Sequence, residues 1–147
     1  MKDGKQYVMI NSIQIVTDRK PINKESDMEN VAVIGASPKQ ERYSNKAIRL
    51  LAEYHHNPIP IAPKHEEIEG RKVYQSLEAI PEKIDTVTLY LGPARQETII
   101  SDIVKLAPKR VIFNPGTENK AVYKQLKKAD IDVVEACTLV LLKTNQY

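Results

Sequence analysis

Apolar residues in this chain fall into short uninterrupted bursts that alternate with stretches of helical spacing, and the alternation begins at Val31. Val31-Ala32-Val33-Ile34 is closed by Gly35, the pattern of a strand buried on both faces. Ser44 to Tyr54 then carries Ile48, Leu50 and Leu51 at helical spacing. Ile59-Pro60-Ile61-Ala62 reads as a second strand, with Pro58 and Pro60 predicting an irregular start. Ser76 to Ile80 fits a short helix capped by Ser76. Asp85 to Leu91, rich in Val, Thr and Tyr, is a third strand. Ala94 to Leu106 places Ile99, Ile100, Ile103 and Val104 on one side of a helix. Arg110-Val111-Ile112-Phe113 is a fourth strand, Glu118 to Ala129 a lysine-rich helix, and Ile131-Asp132-Val133-Val134 a last strand.

Five strands interleaved with helices imply an α/β protein with a doubly wound parallel sheet covered on both faces. Right-handed crossovers leave few topologies, and the Rossmann-like order 3-2-1-4-5 is expected over the flavodoxin-like 2-1-3-4-5. Residues 31–147 then make one domain. Residues 1–30 differ in character, with five basic and five acidic residues that cancel. Within them Tyr7 to Thr17 fits one strand and Asp18 to Asn30 a polar linker, and Met28 stands just ahead of the first buried run. The segment reads as a leader or an upstream extension of the reading frame, because one isolated strand has little to bury. The competing reading is an extra edge strand or a dimer arm.

Length narrows the function: 147 residues and 16.7 kDa leave room for a single core, and not for the usual two-domain enzyme with separate cofactor and substrate domains. A formal charge of +3 is too weak to argue for nucleic acid, and no apolar run reaches membrane length. One cysteine, Cys137, excludes an internal disulfide and a zinc cluster of several thiolates. It suits a reducing compartment, so a cytoplasmic protein is expected, with self-association or an unidentified protein partner left open.

In an open parallel sheet the ligand crevice lies beyond the carboxyl ends of the strands, beside strand one. That rule selects Gly35-Ala36-Ser37-Pro38, Ala62-Pro63-Lys64, Leu91-Gly92-Pro93, Asn114-Pro115-Gly116-Thr117 and Ala136-Cys137-Thr138. A glycine directly after a buried strand lets the backbone turn and present N–H groups to an anion, and the next helix adds its positive end. Ser37 and Ser44 add hydroxyls. Of the dinucleotide fingerprint GxGxxG only the first glycine, Gly35, is met, since Ser37 and Gln40 occupy the other two places. A tight turn with a serine cap fits the local residues equally well. After the second strand, NAD-binding domains place an acidic residue on the ribose, whereas this chain places Lys64, with Glu66 and Glu67 following. A cation there favours a phosphorylated ribose, as in NADP or coenzyme A. A solvated loop lysine is the plainer alternative.

Val31 to Pro38, then Asn45, then Pro60-Ile61-Ala62-Pro63-Lys64 and Gly70-Arg71-Lys72-Val73-Tyr74-Gln75-Ser76-Leu77, closely resemble the small stand-alone CoA-binding proteins. That family is similar to the N-terminal domain of the succinyl-CoA synthetase alpha subunit. The resemblance runs from about Val31 to Cys137 and implies a Rossmann-like domain with coenzyme A, or an acyl-CoA, in the switch-point crevice. It implies that Gly35, Ala36, Ser37 and Pro38 contact the nucleotide phosphates and that Lys64 pairs with a phosphate of the 3′-phospho-ADP. It further implies that Leu91, Gly92 and Pro93 border the adenine and that Asn114, Pro115 and Gly116 border the pantetheine arm. The chain departs from the family pattern in two places. Leu91-Gly92 stand where many relatives carry an aromatic or basic residue, and Asn114-Pro115-Gly116 where many have glutamine-leucine-glycine.

The synthetase's catalysis does not carry across, because it needs a phosphorylated histidine from a second domain. Here His55 and His56 end a helix and His65 sits in a charged loop. No Ser-His-Asp set, paired carboxylates or metal cluster stands out. Asp85 belongs to the opposite edge of the sheet, and Glu118 reads as a first-turn charge. The chain is therefore expected to be a non-catalytic CoA-binding module with a regulatory or carrier role. The alternative is an NADP-binding oxidoreductase component. A third reading, a structural partner using the stripe Lys120, Lys124, Lys127 and Lys128, is weaker because such stripes are usually solvated surface. Cys137, on the ligand edge, reads as a small buried hydrophobe between Val134 and Leu139 in preference to a thiol that forms a mixed disulfide with the ligand.

Overall fold

A computed structural model of the chain describes residues 27–147 in full and residues 7–10 and 13–16 as backbone. The latter are two short strands, β1 (Tyr7–Ile10) and β2 (Ile13–Val16), paired antiparallel in a sheet of their own. The single strand expected over Tyr7 to Thr17 is thus two, separated in sequence by the polar pair Asn11-Ser12. Of the expected linker, residues 18–26 lie outside the described residues, and its last member, Asn30, opens the next strand.

The main sheet has five parallel strands: β3 (Asn30–Ile34), β4 (Asn57–Ile61), β7 (Thr86–Leu89), β8 (Arg110–Phe113) and β9 (Asp132–Glu135). A two-residue antiparallel ladder, β5 (Glu67–Ile68) with β6 (Arg71–Lys72), follows β4. The spatial order is β4-β3-β7-β8-β9. Outside β4, the Tyr74 N–H donates to the Pro60 carbonyl at 3.0 Å and the Tyr74 carbonyl accepts from Ala62 at 3.1 Å, a single parallel bridge. Counting that bridge, the sheet runs 3-2-1 on one side of the switch and onward on the other, which is the Rossmann-like arrangement. The occupant of the third place is corrected, however. It is Tyr74, while the segment Asp85 to Leu91, expected there, supplies β7 and pairs directly with β3.

The prolines explain the reduction. Pro60 turns its carbonyl away from β3 and toward Tyr74, so its ring nitrogen also faces outward, as does that of Pro58 two residues before. Neither carries an N–H, so β4 pairs fully with β3 yet offers an outer neighbour almost no donors.

Alternate residues of each strand feed opposite layers. Ala32, Ile34, Val87, Leu89, Val111 and Phe113 pack under α2 (Glu97–Leu106) and α3 (Lys120–Lys128). Val31, Val33 and Ile112 pack against α1 (Tyr43–Glu53) and α4 (Thr138–Lys143). Thr86 and Thr88, both fully buried, are tolerated because their hydroxyls are bonded, to Glu29 Oε1 at 2.8 Å and to the Thr138 hydroxyl at 2.8 Å. Several ends differ from expectation. Pro93–Arg95 form a 3₁₀ turn ahead of α2, Ser76 makes no side-chain cap on the 3₁₀ turn Leu77–Ala79, and α4 is an additional helix. No described helix is long and apolar enough to cross a membrane.

Candidate functional site

At the end of β3 the backbone turns at Gly35 with φ of +88°, a conformation that side chains disfavour. A Cβ there would lie 2.9 Å from the Tyr90 carbonyl oxygen, so glycine is needed for the close approach of β3 to β7 as well as for the turn. The N–H groups of Gly35 and Ala36 both donate to the Ile61 carbonyl, at 3.2 and 3.1 Å. These two donors are therefore engaged by β4 and hold the loop.

The free donors lie one step further along. Helix α1 starts at Tyr43 without a side-chain cap and without an acidic residue in its first turn. Its first N–H groups and positive dipole end thus meet the cleft uncompensated. The loop that delivers it is braced from inside. Buried Asn45 donates to the Ser37 carbonyl at 2.9 Å and to Glu69 Oε2 at 3.2 Å, and accepts from Arg49 Nε at 2.8 Å. Arg49 Nη2 in turn donates to the Gln40 carbonyl at 2.9 Å.

A cleft of about 680 Å³ opens above this loop between β3 and β7, at the switch point. Of the residues anticipated from sequence, Gly35, Ala36, Ser37, Ser44 and Leu91 line it, while Pro38, Lys64, Gly92 and Pro93 do not. Lys64 is an exposed loop lysine, and its neighbour Pro63 forms the wall. The cations in the wall are Lys39, Arg42 and Arg95, and among the described residues no hydrogen bond or ion pair engages their side chains. Two of these follow Gly35 within one loop and one helical turn. Counting basic residues around the α1 start finds them, whereas attention to the end of the second strand does not.

Tyr43 and Tyr90 border this cleft and also a second cavity of about 450 Å³. Asn114 and Pro115 line the second cavity together with Cys137, Leu139 and Val140, and Gly116 stands outside it. Asn114 is wholly committed: its Nδ2 donates to the Thr88 hydroxyl at 2.8 Å and the Leu89 carbonyl at 3.0 Å, and its Oδ1 accepts from the Thr138 N–H at 2.9 Å. The asparagine therefore ties β7, β8 and α4 together. Burial pushes the ionisation of the Tyr90 hydroxyl upward, opposed by the neighbouring Thr88, so it remains neutral. Cys137, placed among buried hydrophobes from sequence, is half-buried and opens on this cavity.

Gln96 escapes sequence inspection because it sits in a polar turn, yet it is fully buried. Its Nε2 donates to the carbonyls of Leu91 at 2.9 Å and Thr117 at 2.7 Å, and its Oε1 accepts from Asn119 at 3.1 Å. It clamps the loop after β7 to the loop after β8. Other candidates fall into structural places. His56 Nδ1 accepts from the Glu29 N–H at 3.1 Å, His65 is exposed, and Glu118 caps the Gly116 N–H at 2.8 Å. Asp85 accepts from the Asn30 N–H at 2.9 Å, on the amino side of β7. Among the described residues no group of three or more His, Cys, Asp or Glu is placed to hold a metal.

Comparison with known proteins follows the same outline. A family model described as a CoA binding domain matches residues 29–143. Over 81 residues, 55% of this chain, the sequence is 35% identical to an ADP-forming acetate–CoA ligase I of Archaeoglobus fulgidus, and the match spans only 10% of that protein. An uncharacterized protein of solved structure is 38% identical, with a TM-score of 0.77 over 82% of this chain and 98% of its own. A hypothetical protein from Pyrococcus horikoshii OT3 is 29% identical, with a TM-score of 0.72 over 83% of this chain and 92% of that one.

Proposed function

Because the chain belongs to the CoA binding domain family, we propose that the cleft between β3 and β7 binds coenzyme A or an acyl-CoA, and that the protein is a non-catalytic module with a regulatory or carrier role. What carries this reading is the coincidence of an uncapped helix start with three cations, Lys39, Arg42 and Arg95, around one cleft. Coenzyme A brings a pyrophosphate and a 3′-phosphate, and charge-assisted contacts with phosphates are among the strongest that a protein surface forms. The Asn45 brace adds preorganisation, since the loop needs little further ordering on binding. The ligase reaction is that of a relative ten times the length of the match.

NADP shares the phosphorylated ribose, so ligand identity is the discriminating measurement. Melting curves of ligand-free protein with equal concentrations of CoA, dephospho-CoA, NAD and NADP separate the readings. A 100-fold excess over Kd stabilises by about 2.7 kcal/mol. CoA is expected to give the largest shift. An unmoved curve at millimolar CoA removes the reading, and a larger shift with NADP transfers it to an oxidoreductase component.

A further inference from the structure

The second cavity adjoins the first through Tyr43 and Tyr90, which wall both. Its chemistry is different. Leu139, Val140, Pro115 and the tyrosine rings give it an apolar lining. The one amide in its wall, Asn114, has both side-chain ends spent on Thr88, Leu89 and Thr138. Lys143 stands at its exposed end, and no carboxylate lines it. A polar ligand entering such a space loses hydration without regaining hydrogen bonds from the asparagine, whereas an apolar chain loses nothing. At about 450 Å³ the cavity lies within the size range of small-molecule sites.

We infer that this cavity receives the acyl chain of a CoA thioester whose nucleotide occupies the first cleft. The inference rests on the CoA reading of that cleft and deepens it: the ligand class becomes acyl-CoA in preference to free CoA. The polar amides of the pantetheine arm stay on the solvent side of the Tyr43–Tyr90 ridge, and the apolar end beyond the thioester fills the space under α4.

The test is calorimetric titration of the full chain with CoA, acetyl-CoA, butyryl-CoA and hexanoyl-CoA, in the native protein and in Val140→Trp and Leu139→Trp, either of which fills the cavity from α4. Affinity is expected to rise with chain length, by up to about fourfold per buried methylene, until the cavity is full. In the filled variants hexanoyl-CoA and CoA are expected to bind alike. Native protein that binds CoA with no chain-length dependence overturns the acyl site and leaves the CoA reading standing. A chain-length gain that survives in a folded filled variant also overturns it, by placing the chain elsewhere. Absence of binding by every member, CoA included, removes the underlying reading instead. Should both variants fail to fold, the native series alone decides.

Discussion

Replacing Gly35 by alanine tests the junction on which the cleft is built. At φ of +88° an L-residue is strained, by roughly 1–3 kcal/mol. The added Cβ also falls 2.9 Å from the Tyr90 carbonyl oxygen and 3.2 Å from Leu91 Cδ2. The Tyr90 backbone cannot simply move away, because its N–H donates to the Ile34 carbonyl at 2.9 Å within the β3–β7 contact. Strain and displacement together come to about 2–4 kcal/mol, a large effect for a single added methyl group. For a chain of this size that corresponds to a fall in Tm of roughly 6–12 °C. Two alanine controls separate the contributions. Gly70 has φ of +72° but nothing within 4 Å of the added Cβ, so it reports strain alone. Gly92 has open space and no positive φ, so it is expected to be near neutral. Urea unfolding of the three variants, with CoA titration of each folded protein, gives the ranking directly. If Gly35→Ala is no less stable than Gly70→Ala, the close approach of β3 to β7 is not the constraint described above.

Arg42→Ala and Lys39→Ala are each expected to weaken CoA binding by several-fold at low salt, with the loss shrinking as ionic strength rises. Lys64→Ala is expected to change affinity less than either, and calorimetric titration ranks them. Gln96→Leu leaves the carbonyls of Leu91 and Thr117 without their buried donor and is expected to cost about 1–3 kcal/mol in urea unfolding. Burial raises the pKa of Tyr90, Tyr123 and Tyr147, and the hydrogen bond from Tyr123 to Glu135 raises that tyrosine further. The unfolded chain ionises these three tyrosines near pH 10, before the folded one does, so this stability is complete below about pH 10 and is lost as pH rises beyond it. Melting temperature against pH, with a further step in tyrosinate absorbance accompanying unfolding, checks the sign. A chain beginning at Met28 is expected to fold and bind CoA nearly as well as the full one, and loss of cooperative unfolding would assign residues 1–27 a structural role.

The switch-point site was legible where one residue carries its own constraint. Gly35 follows a buried strand, and no other residue type fits the turn, so its place could be read from the pattern. The cations were not legible in the same way. Lys39 and Arg42 resemble any solvated loop residues until α1 is seen to start directly after them, at the cleft wall. Lys64, favoured by analogy with the acid of NAD-binding domains, is an exposed loop residue one position beyond Pro63, which lines the cleft. Tyr90 looks like one more strand residue, since alternation cannot distinguish the last strand position from a cleft wall. Strand number and parallel pairing followed from the pattern of apolar bursts. The third place in the sheet did not, because a single bridge at Tyr74 leaves no periodic signal. Helix α4 has six residues, too few for helical spacing to stand out.

A sheet rim with unpaired N–H and C=O groups is a template on which a strand from another chain can add. The rim at β4 is closed to such growth: Pro58 and Pro60 remove its donors, and Tyr74 already occupies the acceptor of Pro60. Among the described residues no strand pairs with the outer rim of β9, where Asp132 is exposed. Among the described residues, strand addition to the main sheet is thus open at one rim alone. A copy added at β9 would leave the β3–β7 cleft, two strands away, open to its ligand, and chains joined in this way could pair but could not polymerise through a second β4 rim.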